Sequence, residues 1–308
     1  MKCIKKSLII FIVLGVTLLC SCGSRVPDKK SLSDLGGVYS SNFENMDFDV
    51  EVSGRLTEDT ASDIEYSNDM ESVNAFNEQY DNRVYSWGLS RSPGGQLPKA
   101  DPGAPELLSK YGGFYLGDTS SKVIYLTFDE GYENGYTSKI LDVLKEKNVK
   151  ATFFITGPYL KEHEDLVARM VNEGHTVGNH TINHPSLPQL EDKVLEEEVL
   201  GLSRAFKEKF GKDMKFLRPP KGEYSERSLA LTQKLGYRNV FWSFAYDDWY
   251  RDKVRGPEYA YNMVMRNLHN GAILLLHAVS KDNADALGAI IDGVRAKGYV
   301  IGDINDIK

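Results

Sequence analysis

The chain has 308 residues, 41% of them hydrophobic and 26% charged, which is enough for one large domain of about 200 residues with appendages. A formal net charge of −7 leaves no basic surplus to displace the counterions condensed on nucleic acid, so nucleic acid is excluded as a partner. The three cysteines are Cys3, Cys20 and Cys22, so the remainder holds neither a disulfide framework nor a thiolate metal site. Any metal there must use histidine and carboxylate ligands.

The start reads as an export signal, residues 1–22. Lys2, Lys5 and Lys6 form a basic end, and Ser7 to Leu19 is an apolar run too short for a comfortable membrane span. Leu19-Cys20-Ser21-Cys22 resembles a bacterial lipobox, in which Cys22 is lipidated and becomes the new N-terminus. A plain secretory signal and an uncleaved anchor are the other readings, and all three place the rest of the chain outside the cytoplasm. From Gly23 to Arg83 there are 14 acidic residues against 5 basic ones and no sustained helical or strand period. Residues 23–84 are therefore expected to be a flexible acidic linker. Residues 85–121, rich in Pro and Gly, are expected to form an arm packed on the following domain, with a short helix near Glu106 to Tyr111.

Beyond the arm, apolar strands alternate with amphipathic helices. Strands are expected at Val123 to Phe128, Ala151 to Ile155, leading into Arg218, Asn239 to Ser243, and Ala272 to Leu276. Helices are expected at Gly135 to Lys147, His163 to Glu173, Glu191 to Phe210, Glu226 to Leu235, Gly256 to Leu268 and Ala284 to Lys297. Short buried strands separated by helices imply a parallel α/β sheet, either a barrel or a doubly wound sheet. Both place their chemistry at the carboxyl ends of the strands.

Five features sit at such ends. The first strand runs into Asp129-Glu130-Gly131; alone, two carboxylates there are as consistent with a solvated turn as with a site. His180 and His184 are spaced i, i+4, which on a helical turn lets both imidazoles reach one divalent ion. Arg218 precedes Pro219-Pro220, a stiff turn that cannot continue a helix. Trp242 to Trp249 brings aromatics together with Asp247 and Asp248, and Leu274-Leu275-Leu276 ends in His277. A single strand-end histidine is more often structural than catalytic; five features at five strand ends are harder to dismiss.

Thr127-Phe128-Asp129, His180-x-x-x-His184, Arg218-x-Pro220, Asp248-Trp249 and Leu274-x-Leu276-His277 resemble, in order and spacing, the motifs of the polysaccharide deacetylases with a NodB-homology domain. The resemblance covers residues 122–304 and implies a distorted (β/α) barrel of about seven parallel strands. Tyr85 to Gly88, Phe114 to Asp118, Glu130 to Tyr136 and Ser280 to Ala284 further resemble the sporulation subgroup, which deacetylates muramic acid on the way to the muramic δ-lactam of spore cortex. The resemblance implies Asp129 as general base for the attacking water, His277 as general acid to the departing amine, and His180 and His184 as metal ligands. Zn²⁺ is the first expectation for the metal, with Co²⁺ or similar ions also fitting. It implies Arg218 as the partner of Asp129 and Asp248 as the group orienting His277. The backbone near Lys221 would stabilise the oxyanion, with Trp249, Leu274 and Leu276 walling the acetyl pocket. Peptidoglycan glycan strands are the implied substrate, and a lipid anchor the implied membrane contact.

Two positions depart from the pattern. The family's usual third metal ligand is an Asp after the base, where this chain has Glu130, which either reaches the metal with altered geometry or turns away. Ala245 stands where many relatives carry an acid. The alternatives are a deacetylase of another surface glycan or of chitin-like oligomers, and a catalytically weak sugar-binding lipoprotein.

Overall fold

The computed structural model describes residues 79–308, residue 93 excepted. The expected signal segment with Cys22, and the acidic linker as far as residue 78, lie outside the described residues. The arm comprises β1 (Tyr85–Ser86), β2 (Leu89–Ser90), β3 (Lys99–Ala100) and helix α1 (Ala104–Lys110). Its apolar residues Trp87, Leu108 and Tyr111 are buried against Tyr224, Leu229 and Phe241.

There follow β4 (Val123–Glu130), α2 (Thr137–Glu146), β5 (Thr152–Ile155), α3 (Gly157–Glu162), α4 (Glu164–Asn172), β6 (Thr176–Asn179) and α5 (Asp192–Phe210). The chain continues with β7 (Phe216–Leu217), β8 (Glu223–Tyr224), α6 (Glu226–Lys234), β9 (Arg238–Asn239), α7 (Pro257–Arg266), β10 (Ala272–His277), α8 (Lys281–Ala296) and β11 (Val300–Ile301). Seven strands form a curled parallel sheet in the order β10-β4-β5-β6-β7-β9, with β11 paired to the start of β4. After β9 the chain reaches back to β10 through a single bridge, Phe244 to Leu274.

The alternation of β4 explains both the core and the site. Ile124, Leu126 and Phe128 point to one face and pack with Ile140, Leu141 and Leu144 of α2. Tyr125 points to the other and meets Phe154, Phe216, Val240 and Ile273 inside the curl. Burying each such side chain contributes about 1.5–3 kcal/mol. In α5, Leu195, Val199, Leu202 and Phe206 form the buried stripe, and Gly211 ends the helix in a left-handed cap with φ 65°.

Three local expectations change. β6 was not anticipated, because Thr176-Val177-Gly178-Asn179 is short and holds a glycine and an asparagine. The segment carrying His180 and His184 is a loop, not a helical turn, with Thr181 at φ 68° and His184 at φ 58°. Asn179 shapes it: its Oδ1 accepts from Thr181 N–H at 2.8 Å while its amide donates to Val199 O at 2.8 Å. The expected strand at 239–243 keeps its pairing only to Asn239; beyond it, Val240 and Phe244 make isolated bridges to Phe114 and Leu274.

Candidate active site

Strand ends and the loops after them converge as the parallel sheet requires. In the parallel register of β4 and β10, Asp129 lies beside His277 and Thr127 beside Leu275. Register partners share a face, so the carboxylate and the imidazole emerge side by side.

Arg218, fully buried, organises one half of the site. Its Nη1 donates to Asp129 Oδ1 at 2.7 Å, its Nη2 to Thr127 Oγ1 at 2.8 Å and its Nε to Val240 O at 3.2 Å. Its guanidinium lies 4.2 Å from the Phe154 ring centre. Gly178 makes room for that ring, since a Cβ there would stand 2.5 Å from Phe154 Cδ1. Burial alone would raise the Asp129 pKa, but the Arg218 charge, with smaller help from His180 and His277, holds it below the usual carboxylate value. Asp129 is therefore an ionised carboxylate in a nearly dry place.

His180 Nδ1 lies 2.8 Å from Arg218 O. A carbonyl only accepts, so Nδ1 carries the hydrogen and Nε2, 3.6 Å from Asp129 Oδ2, presents its lone pair. The His184 ring stands 4.7 Å from that of His180, centre to centre. Burial is the main cause that depresses both imidazoles, which keeps them in the neutral form that a metal requires.

Asp248 organises the other half. Its Oδ1 lies 2.7 Å from His277 Nδ1, and its Oδ2 accepts from His277 N–H at 2.9 Å and from Asn283 Nδ2 at 2.6 Å. Burial would lower the His277 pKa, but Asp248 outweighs it and the net shift is upward. Trp249 stacks edge-on to His277 with ring centres 5.7 Å apart. Lys221, at φ 59°, follows Pro219-Pro220 on the turn after Arg218, near enough for its charge to depress His184.

One assignment is corrected, and Glu130, left open by the sequence, takes a definite place. Leu274 and Leu276 are fully buried and belong to the cluster between sheet and helices, in register with Leu126 and Phe128. Residues one and three places before His277 necessarily face away from it; Leu275 is the leucine that shares its face. Glu130 is likewise on the opposite face from Asp129, in register with Ile155. It is 0% exposed and neither carboxylate oxygen has a hydrogen-bond partner. The Thr137 hydroxyl donates to Glu133, and its approach to Glu130 is the smallest influence on that carboxyl, a downward one. Burial, then the charges of Glu133 and Asp129, raise the Glu130 pKa well above its ordinary value, which favours its protonated form. Among the described residues no three His, Cys, Asp or Glu side chains form a ready cation cage. The two imidazoles thus fit a divalent cation as donors, and Glu130 as placed does not.

Sequence reading left Asn283 and Thr127 without roles. Asn283, in the first turn of α8, ties Asp248 and the His277 carbonyl together. The signal for it was its place just after the last strong strand; for Thr127, its position two residues before Asp129 on the same face.

The chain matches the family model for polysaccharide deacetylase over residues 116–240. It is 44% identical to the peptidoglycan-N-acetylmuramic acid deacetylase PdaA of Bacillus subtilis over 227 residues, covering 73% of this chain and 86% of that protein. The solved structure of PdaA, a family 4 carbohydrate esterase, aligns with a TM-score of 0.72 over 74% of this chain and 97% of that one. A family 4 carbohydrate esterase from Bacillus anthracis, 48% identical, aligns with a TM-score of 0.63 over the same shares. With strand-end chemistry, fold and relatives agreeing, this chain belongs to the polysaccharide deacetylases, hydrolases of the N-acetyl amide bond.

Proposed function

We propose that this enzyme removes the acetyl group from N-acetylated sugars of peptidoglycan, N-acetylmuramic acid first among them, in the making of spore-cortex muramic δ-lactam. The observation that carries the reading is the pairing of an ionised Asp129 with a His277 whose pKa is raised, each fixed by its own partner, on register-paired strand ends. A sugar-binding protein has no use for such an acid–base pair. The likeness to PdaA, named for N-acetylmuramic acid, supports the choice of sugar, and a distorted barrel fits the curl of the sheet.

In this mechanism Asp129 takes a proton from water as its oxygen bonds to the acetamide carbonyl carbon. Arg218 keeps Asp129 ionised until then. The C–N bond breaks as His277 gives its Nε2 proton to the departing nitrogen, leaving acetate and a free amine. Asp248, hydrogen-bonded to His277 Nδ1, holds the ring so that Nε2 faces the site. Backbone amides at Lys221, together with Trp249 and Leu275, receive the acetyl group. Deacetylases of this family depend on a metal in general, and His180 and His184 would hold it, Zn²⁺ before Co²⁺. When bound, such an ion polarises the amide carbonyl and acidifies water.

We place the enzyme on the outer face of the cell membrane, anchored through lipidated Cys22 by the acidic linker. The test of function is acetate release from purified peptidoglycan with and without chelator, followed by a search for free amines or lactam on muramic residues. Activity surviving both exhaustive chelation and Asp129→Asn sinks the mechanism. Release from chitin oligomers but not from peptidoglycan favours the other-glycan alternative. Partition of Cys22→Ala into the soluble fraction, with the unaltered chain in membranes, tests the anchor.

A further inference from the structure

The arm touches the site loops at their backbones, not only through apolar packing. β1 pairs antiparallel with β8, Tyr85 opposite Tyr224 and Ser86 opposite Glu223. The next residue, Trp87, donates its backbone N–H to Gly222 O at 2.8 Å and its indole N–H to Trp242 O at 2.9 Å. Four residues later, Arg91 Nη2 donates to Ala245 O at 2.7 Å, with its guanidinium 5.9 Å from the Phe244 ring centre. Three carbonyls on two loops are thus held by one short segment.

Those loops carry the chemistry. Gly222 closes the turn that bears Lys221, and both residues have left-handed φ, 68° and 59°. For Lys221 that conformation is disfavoured unless its surroundings impose it. Gly222 is pressed between the arm and the second loop: a Cβ on it would lie 3.2 Å from Trp87 Cβ and 2.8 Å from Trp242 Cη2. The second loop runs from Trp242 through Ala245 to Asp248, the residue that holds His277.

We propose that Tyr85 to Arg91 is a clamp that sets the oxyanion turn and the Asp248 loop relative to each other, with Trp87 and Arg91 as positioning residues. Neither side chain needs to touch substrate. Their effect passes through Gly222 and Trp242 in one case and through Ala245 in the other. The catalytic part of this proposal rests on the deacetylase reading above; the structural part does not.

The full chain carrying Trp87→Phe, Arg91→Ala or Arg91→Lys separates the two. Trp87→Phe keeps an aromatic ring in the cluster while losing the indole donor and part of the ring volume, and Arg91→Lys keeps a cationic donor for Ala245 O. On peptidoglycan strands stripped of stem peptides, Trp87→Phe and Arg91→Ala should each lower kcat about tenfold, with KM within about twofold, as expected when a reacting group is displaced while substrate binding stays intact. Arg91→Lys should recover most of the rate. Hydrogen exchange should quicken in residues 219–224 and 242–249 of the two impaired variants and stay unchanged in α8. Wild-type kcat with unaltered exchange in both loops overturns the clamp. So does exchange that rises equally in α8 with no rescue by lysine, because that is general destabilisation. If the unaltered chain releases no acetate from any glycan, the deacetylase reading fails, and the exchange pattern still decides the clamp.

Discussion

Asp129 and His277 are register partners on the adjacent strands β4 and β10, so the proposed base and acid stand on one face about 4.8 Å apart along the strand-to-strand direction. Each side chain is poised by a different neighbour, Arg218 for Asp129 and Asp248 for His277. The two roles should therefore fail separately. Asp129→Asn and His277→Ala are each expected to lower kcat by about 10²–10⁴-fold while leaving bound metal unchanged. His180→Ala is expected to remove metal and activity together. Metal analysis beside steady-state kinetics checks this, and equal metal loss in His277→Ala and His180→Ala contradicts the assignment.

The same two partners set the pH profile. Asp129 must be ionised and its pKa lies below the ordinary 3.8, so the acidic limb of kcat/KM belongs below that value. His277 must be protonated and its pKa lies above 6.5, so activity is lost as pH rises through a value above 6.5. Asp248→Asn removes the charge that outweighs burial, and the basic limb should move to lower pH while the acidic limb stays. A basic limb that does not move assigns it to some other group.

Arg218→Leu leaves the Asp129 carboxylate buried without its cation. Breaking a buried pair in this way costs about 3–5 kcal/mol. Thr127 Oγ1 also loses a donor, although it still donates to Leu274 O at 2.7 Å. Denaturant unfolding should show that loss. In whatever protein stays folded, the acidic limb should rise, because burial then acts on Asp129 against only the smaller influence of His180 and His277. An unchanged midpoint and limb together would falsify the role given to Arg218.

Much of this site was legible because its residues sit at strand ends, where a run of apolar residues breaks into charge. Val123 to Phe128 and Ala272 to Leu276 are such runs; that they lie side by side was not legible and comes from the structure. Side-chain direction was less legible: motif spacing placed Leu274 and Leu276 at the pocket, whereas the period of two sends both to the helix layer. The histidine pair was found for an incomplete reason. Its i, i+4 spacing suggested a helical turn, but two left-handed residues and the Asn179 side chain bring the rings together in a loop. The carbonyl contacts of Trp87 and Arg91 span about 150 residues of sequence and leave no local pattern to read.

Glu130 yields the last prediction, on both stability and metal. Its folded pKa is raised well above the ordinary 4.5, by burial first and then by Glu133 and Asp129. For an acid shifted in that direction, the unfolded chain releases its proton as pH passes 4.5 while the folded chain keeps it. Folding stability therefore falls as pH rises from there to the folded pKa. Glu130→Gln has nearly the same shape and no proton to lose, so it should remove this slope and gain stability relative to the parent as pH rises above 4.5. Thermal unfolding across pH 4 to 8 measures the difference. Because Glu130 lies on the face opposite Asp129, Zn²⁺ titration of Glu130→Gln by calorimetry should give an affinity within about twofold of the parent, whereas loss of a true ligand costs far more. A variant that is less stable at pH 8 and binds Zn²⁺ a hundredfold more weakly would show that Glu130 swings through to the metal, and that the two-histidine description is incomplete.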